Sequence, residues 1–201
     1  ALAAHEGVLR DQLTALAQAA ADTDALVQVM APMVSTAAEA QYFRDLAHEL
    51  GIAVAGVMVE VPSCAILADH VARNADFMSI GTNDLTQYVF AADRLLGTVA
   101  AFQNPWHPAV LRLIETVGAA GAAHDVPVGI CGEAAADPLL AVVLVGLGAT
   151  SLSMSSSAIA DVRAELALHS LDDARRLAAL AVSAESAETA RRAVLDASTR
   201  P

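Results

Sequence analysis

Five short apolar runs, at residues 26–34, 53–61, 77–81, 128–131 and 151–154, alternate along this chain with longer segments whose apolar residues recur at helical spacing. Short apolar runs bounded by Gly, Pro or polar residues read as strands, and the segments at 36–50, 63–72, 84–91, 108–124 and 138–147 read as the helices between them. Several of these helices open on Ser, Thr, Asn or Asp, as a capped N-terminus does. Strand-helix repetition supplies the crossovers that parallel pairing needs, so the pattern predicts an α/β fold with a parallel sheet. An amphipathic segment at 6–21 precedes the first strand, and helical stretches at about 158–169, 171–183 and 184–197 follow the last. The length suits a single unit over residues 1–201.

Composition narrows the core and the partners. Hydrophobic residues make up 56% of the chain but aromatics only 3%, so the interior is expected to be built from Ala, Val and Leu. Eleven Arg and no Lys face 23 acidic residues, a formal charge of −12 that would repel nucleic acid and anionic membrane alike. Every apolar run is interrupted by a charge, Gly or Pro before it reaches roughly 18 residues, so no membrane insertion is expected. Cys64 and Cys131 form no CxxC pair, and a reducing cytoplasm is the expected location.

Three strand ends carry residues with chemical potential. Glu60 closes the apolar run Val57-Met58-Val59, where a buried carboxylate would cost several kcal/mol unless a cation met it. In parallel β/α architectures the C-terminal strand ends face the site, which favours a ligand role for Glu60 over a carboxylate simply leaving the sheet for water. The run Ser79-Ile80-Gly81 passes directly into Thr82-Asn83-Asp84 at the start of a helix. Such a start favours a phosphate, and Asp84 offers a hard oxygen to Mg²⁺; equally, Asn83 or Asp84 could do no more than cap the helix. Cys131 ends its own strand just before Gly132-Glu133, at the same rim. A thiol there can hold its proton at neutral pH and hand it to a carbanion or enolate. Cys64, inside a predicted helix, reads as a small buried hydrophobe.

These motifs resemble those of phosphoenolpyruvate-utilising enzymes. The resemblance rests on Val59-Glu60-Val61-Pro62, on Ser79-Ile80-Gly81-Thr82-Asn83-Asp84-Leu85-Thr86-Gln87-Tyr88 with Ala91-Ala92-Asp93-Arg94, and on Cys131-Gly132-Glu133. Met30-Ala31-Pro32-Met33-Val34 and Ser151-Leu152-Ser153-Met154-Ser155 are similar in particular to Enzyme I of the sugar phosphotransferase system, in its C-terminal phosphoenolpyruvate-binding half. The resemblance implies a (β/α)₈ TIM-barrel fold. It also implies that Glu60 and Asp84 bind Mg²⁺, that Asn83 and Arg94 hold the phosphoryl group, and that Cys131 protonates the enolate to give pyruvate. A straight helix from Asp84 would carry Arg94 roughly 15 Å away, so the chain has to fold back.

Five strands would correspond to the fourth through the eighth of such a barrel, an N-terminally truncated part followed by helices. The arginines that clamp the substrate in the family would then lie outside this sequence, since Arg10 and Arg44 fall in no matching motif, and the chain alone would bind phosphoenolpyruvate weakly. The resemblance further implies a homodimer, phosphoryl transfer to a histidine of the protein's own N-terminal domain, and onward transfer to the phosphocarrier protein HPr for sugar uptake. None of the six His residues sits in such a motif. His107 alone falls where it could reach the rim. Pyruvate phosphate dikinase or phosphoenolpyruvate synthase, which share the Asn-Asp and Cys-Gly-Glu elements, is the alternative enzyme; a non-catalytic oligomerisation unit is the alternative outside catalysis. Ala136 stands where the family usually has Gly, which would shift the loop if that position needs a positive φ.

Overall fold

In the computed structural model, which describes residues 5–198, the predicted alternation becomes one parallel sheet. Strands β1 (Gln28–Ala31), β2 (Val54–Val59), β3 (Met78–Gly81), β4 (Val128–Cys131) and β5 (Ser151–Leu152) pair in sequence order. The expected unit over 1–201 extends at both ends beyond these described residues. All four pairings are parallel, with Gln28 opposite Val54, Val57 opposite Met78, Gly81 opposite Cys131 and Ile130 opposite Leu152. Neighbour-to-neighbour order with every crossover on one side is barrel topology, and the five strands form an open arc of a (β/α)₈-type barrel whose edges are β1 and β5. Pro32 directly after β1 removes one backbone donor from that edge.

Ten α-helices complete the described residues. α1 (Glu6–Ala21) leads in, and α2 (Ala37–Glu49), α3 (Pro62–Ile66), α4 (Ala68–Ala72), α5 (Thr82–Phe90), α6 (Pro108–His124) and α7 (Pro138–Gly146) connect the strands. After β5 come α8 (Ile159–Leu166), α9 (Leu171–Ser183) and α10 (Ala187–Ser198). Their starts follow local chemistry. Thr36 and Glu39 form a reciprocal capping box on α2, Ser170 and Asp173 do the same on α9, and Pro opens α6 and α7 at the first turn.

The two faces of the sheet differ in kind. Ala55, Val57, Val59, Met78, Ile80, Val128 and Ile130 point to the helices and are almost wholly buried. On the alternate positions stand Met30, Met58, Ser79, Gly129, Cys131 and Ser151, half-buried or exposed. A cavity of about 500 Å³ lies against this second face, lined among others by Met30, Ser79, Gly129 and Ser153. Alternation on a strand puts every second residue on one side, so apolar burial on the helix side alone sets the register. α7 is buried along Leu140–Leu144 and packs on α9, each of its buried Leu and Val side chains contributing about 1.5–3 kcal/mol.

Some boundaries differ from the expected ones. Four of the strands are shorter than their apolar runs, because pairing stops before the run does, whereas β4 keeps the expected bounds. The helix expected at 63–72 breaks at Leu67, which closes α3 and opens α4. The last helix begins at Ala187 rather than 184. The most consequential shift is at α5, which starts at Thr82 and not at Asp84.

Candidate functional site

Because every strand runs the same way, their C-terminal ends share one rim, and Glu60, Asp84 and Cys131 all follow or close a strand there. Glu60 is 7% exposed, which excludes a carboxylate leaving the sheet for water. Its Oε1 accepts from the Met33 backbone N–H at 2.8 Å, just beyond β1. Met33 has φ 55, a left-handed conformation that a non-glycine residue adopts only when held, and the Glu60 carboxylate supplies a hold. On the other side, Oε2 lies 3.0 Å from where a β-carbon on Gly81 would stand. One carboxylate thus reaches from the end of β1 to the end of β3.

Gly81 is the N-cap of α5, and no side chain caps that helix. The capping reading of Asn83 and Asp84 therefore does not hold, and both side chains serve elsewhere. Asn83 Oδ1 accepts from the Glu133 N–H at 3.3 Å. That contact leaves the amide hydrogens of Asn83 as the end it can offer to a ligand oxygen. Asp84 Oδ2 stands 3.5 Å from Arg94 Nη1.

Arg94 reaches Asp84 because α5 stops at Phe90. Ala91 takes the left-handed conformation, φ 49 and ψ 36, and its successor's N–H returns to the Gln87 carbonyl. The Gln87 side chain then accepts from the Arg94 N–H at 3.0 Å. This fold-back answers the distance that a straight helix would have imposed. Between Asn83, Arg94, Gln103 and Glu133, with Thr82 and Thr86 at its wall, lies a cavity of about 470 Å³.

Cys131 is half-buried, opposite Gly81 in the β3–β4 register. Its Sγ lies 3.5 Å from the Ile80 carbonyl oxygen and 3.9 Å from Met58 Sδ, and the Ser79 hydroxyl donates to it at 3.9 Å. The thiol therefore faces the sheet's open side, away from the helix-packed core. The next residue, Gly132, has φ 92, and a β-carbon on it would stand 2.5 Å from Thr82 Oγ1, so no other residue fits there without movement. Ala136 has no positive φ and sits in a single 3₁₀ turn, Glu133–Ala136, so replacing the family's usual Gly at this position costs no backbone strain. Asp137 locks the neighbouring loops: Oδ1 caps α7 through Leu139 and Leu140, while Oδ2 accepts from Trp106 Nε1 at 2.9 Å.

The remaining candidates fall outside the rim chemistry. Cys64 is fully buried, and burial, with the nearby negative charges of Glu39 and Glu60, pushes its thiol up to about 12. Arg10 binds Glu6 and Glu49, and Arg44 donates to the Arg73 carbonyl, both in the helix layer. His48, His124 and His169 pair with Asp76, Asp69 and Glu165. His107 caps α6 through Nδ1 and meets the Phe90 ring edge-on at 4.6 Å. Met33, Thr82 and Gln87 are the site neighbours that motif reasoning passed over. All three lie inside the family motifs, Met33 in residues 30–34 and Thr82 and Gln87 in residues 79–88, but the motifs by themselves gave none of them a role.

Fold and rim together define a β/α-barrel-type domain that gathers carboxylates, an amide, an arginine and a thiol at the C-terminal ends of adjacent strands. Residues 1–171 match the family described as PEP-utilising enzyme, PEP-binding domain, and the chain belongs to that family. It is 52% identical over 190 residues to the phosphoenolpyruvate-protein phosphotransferase of Streptomyces coelicolor, across 94% of this chain and 34% of that protein. It is 39% identical over 193 residues to the multiphosphoryl transfer protein of Rhodobacter capsulatus, across 93% of this chain and 23% of that one. The chain thus spans about a third or less of these relatives' length. Among solved structures, the CitE protein of Mycobacterium tuberculosis, in complex with magnesium, acetoacetate and coenzyme A, aligns with TM-score 0.51 at 19% identity over 88% of this chain and 71% of that one. At that identity the likeness concerns the fold alone. Among the described residues no helix is long and apolar enough to cross a membrane.

Proposed function

We propose that this chain is the phosphoenolpyruvate-binding unit of a phosphotransferase-system Enzyme I, acting in the transfer of a phosphoryl group from phosphoenolpyruvate to a protein histidine. The observation that carries the reading is the return of Arg94 onto Asp84, which sets Arg94 and Asn83 at the wall of one cavity, with Cys131 on the adjacent strand end. An arginine and an amide with free hydrogens suit a phosphoryl group, and a thiol on the open side suits proton delivery. The names of the relatives favour this over the dikinase alternative.

Glu60 and Asp84 are the residues that would hold Mg²⁺. Among the described residues no group of three or more His, Cys, Asp and Glu could hold a metal. A pair of carboxylates nonetheless fits Mg²⁺, which is usually bound through one or two carboxylates plus water and phosphate oxygens. The ion would neutralise charge on the substrate's phosphate. Asn83 orients the phosphoryl group through its amide hydrogens, and Arg94 supplies positive charge next to Asp84. Cys131 gives its proton to the methylene carbon of the enolate left after phosphoryl transfer, which yields pyruvate and a thiolate that solvent reprotonates.

The chain as a single domain, its self-association as a homodimer, a cytoplasmic setting and delivery to an N-terminal domain and the phosphocarrier protein belong to the same proposal. With Arg94 the one arginine at the rim among the described residues, the chain alone should bind phosphoenolpyruvate weakly. Isothermal titration of phosphoenolpyruvate in the presence and absence of Mg²⁺ tests the reading. Mg²⁺-dependent heat that Arg94→Ala abolishes supports it, and the absence of heat at millimolar ligand favours a non-catalytic oligomerisation unit. Light scattering tests self-association.

A further inference from the structure

We propose that Thr82 is a positioning residue for Cys131, acting through a hydrogen bond to the cysteine's own carbonyl. The proposal rests on the reading of Cys131 as the proton donor. Thr82 is 1% exposed, and its Oγ1 donates to the Cys131 carbonyl oxygen at 2.9 Å. The geometry explains why a side chain is needed there. Gly81 and Cys131 are the last paired residues of β3 and β4, and beyond them β3 turns into α5. The ladder therefore has no further backbone donor on that side for the Cys131 carbonyl, and the first helical residue supplies a hydroxyl instead.

Three further contacts make this bond directional. Gly132, without a β-carbon, lets the Thr82 hydroxyl approach; a methyl there would stand 2.5 Å from Oγ1. Asn83, the next residue along α5, takes the Glu133 N–H, so the peptide units on both sides of Gly132 are held by two consecutive side chains of one helix. Thr82 is itself fixed from behind, since the hydroxyl of the buried Thr86 donates to its carbonyl at 2.7 Å. With the strand end pinned in this way, the thiol stays in its pocket between Met58, Ser79 and the Ile80 carbonyl. The same helix that offers Asn83 and Asp84 to the phosphoryl end thus sets the direction of the thiol. Thr82, at the wall of the cavity beside Asn83, couples the two halves of the site through the Cys131 carbonyl.

The test uses this chain and reads the alkylation of Cys131 and Cys64 by iodoacetamide, resolved by peptide mapping at one fixed pH. Thr82→Val should speed labelling of Cys131 about fivefold, the change that loss of one ordinary hydrogen bond produces, while Cys64 stays protected. Thr82→Ser should return Cys131 to the wild-type rate. If the valine variant does not fold, Thr82→Ala serves the same purpose with less crowding. Unchanged Cys131 labelling in a folded variant, equal acceleration of both thiols, or failure of serine to restore the rate would each overturn the proposal. None of these readouts needs phosphoenolpyruvate. A chain that failed to bind it would sink the functional reading and leave this contrast standing.

Discussion

The carboxylate of Glu60 occupies the room left by the missing side chain of Gly81, with Oε2 3.0 Å and the Met58 sulfur 3.1 Å from the point where a β-carbon would sit. Gly81 has φ −87, so an alanine would meet no backbone penalty there and its whole cost would come from contact. Gly81→Ala should lower stability by about 1–3 kcal/mol in urea unfolding and weaken Mg²⁺-dependent phosphoenolpyruvate binding together with it. A variant with wild-type stability and binding would show that Glu60 is not held against β3.

Glu60→Gln separates charge from shape. The amide oxygen can still accept from the Met33 N–H, and a buried charge disappears, so stability should stay within about 1 kcal/mol of wild type. Affinity for Mg²⁺ with phosphoenolpyruvate should fall about tenfold or more, because one of two hard anionic ligands is gone. Titration calorimetry beside urea unfolding checks both halves, and retained affinity would remove Glu60 from the metal site.

Cys131→Ala, placed in a longer protein that carries the phosphoryl acceptor, should block pyruvate formation by about 10²- to 10⁴-fold, the usual share of a general acid. Phosphoenolpyruvate binding should persist, since the carboxylates, Asn83 and Arg94 are untouched. Turnover at the wild-type rate would refute the assigned role.

Cys64 predicts an alkaline limit to stability. Its folded pKa, pushed up to about 12, lies above the ordinary thiol value of about 8.5, so the folded state holds the proton more tightly than the unfolded chain. The resulting stabilisation is complete below the unfolded value and is lost as pH rises through that window toward the folded one. Over that range the slope of stability against pH should be less steep in Cys64→Ala than in wild type, by at most about 1.4 kcal/mol per pH unit. Urea unfolding across pH checks the difference. Parallel curves would show that Cys64 ionises as easily in the folded state.

Local signals made much of this fold legible. The segments expected at 6–21, 108–124, 128–131 and 171–183 coincide with α1, α6, β4 and α9: a Pro at the first turn opens α6, a Ser caps α9 and a Gly follows β4, while α1 is marked by its amphipathic spacing alone. The strand ends bearing Glu60, Asp84 and Cys131 were legible for the same reason. That Arg94 had to fold back was legible, but the means was not, since Ala91 adopts a left-handed conformation with no Gly to announce it. Nor was the start of α5, where Gly81 replaces a polar cap and Thr82 spends its hydroxyl on a carbonyl 49 residues away.

The order of apolar runs and helical segments was enough by itself to dictate a parallel β/α arrangement and to put three reactive side chains at strand ends, because periodicity and punctuation act over a few neighbouring residues. Which of those side chains meet, and in what orientation, was decided only by the tertiary structure. Contacts such as Glu60 with Met33 and Thr82 with Cys131 join residues far apart in the chain, and they exist only once strand register and the close approach permitted at Gly81 and Gly132 have brought the rim together.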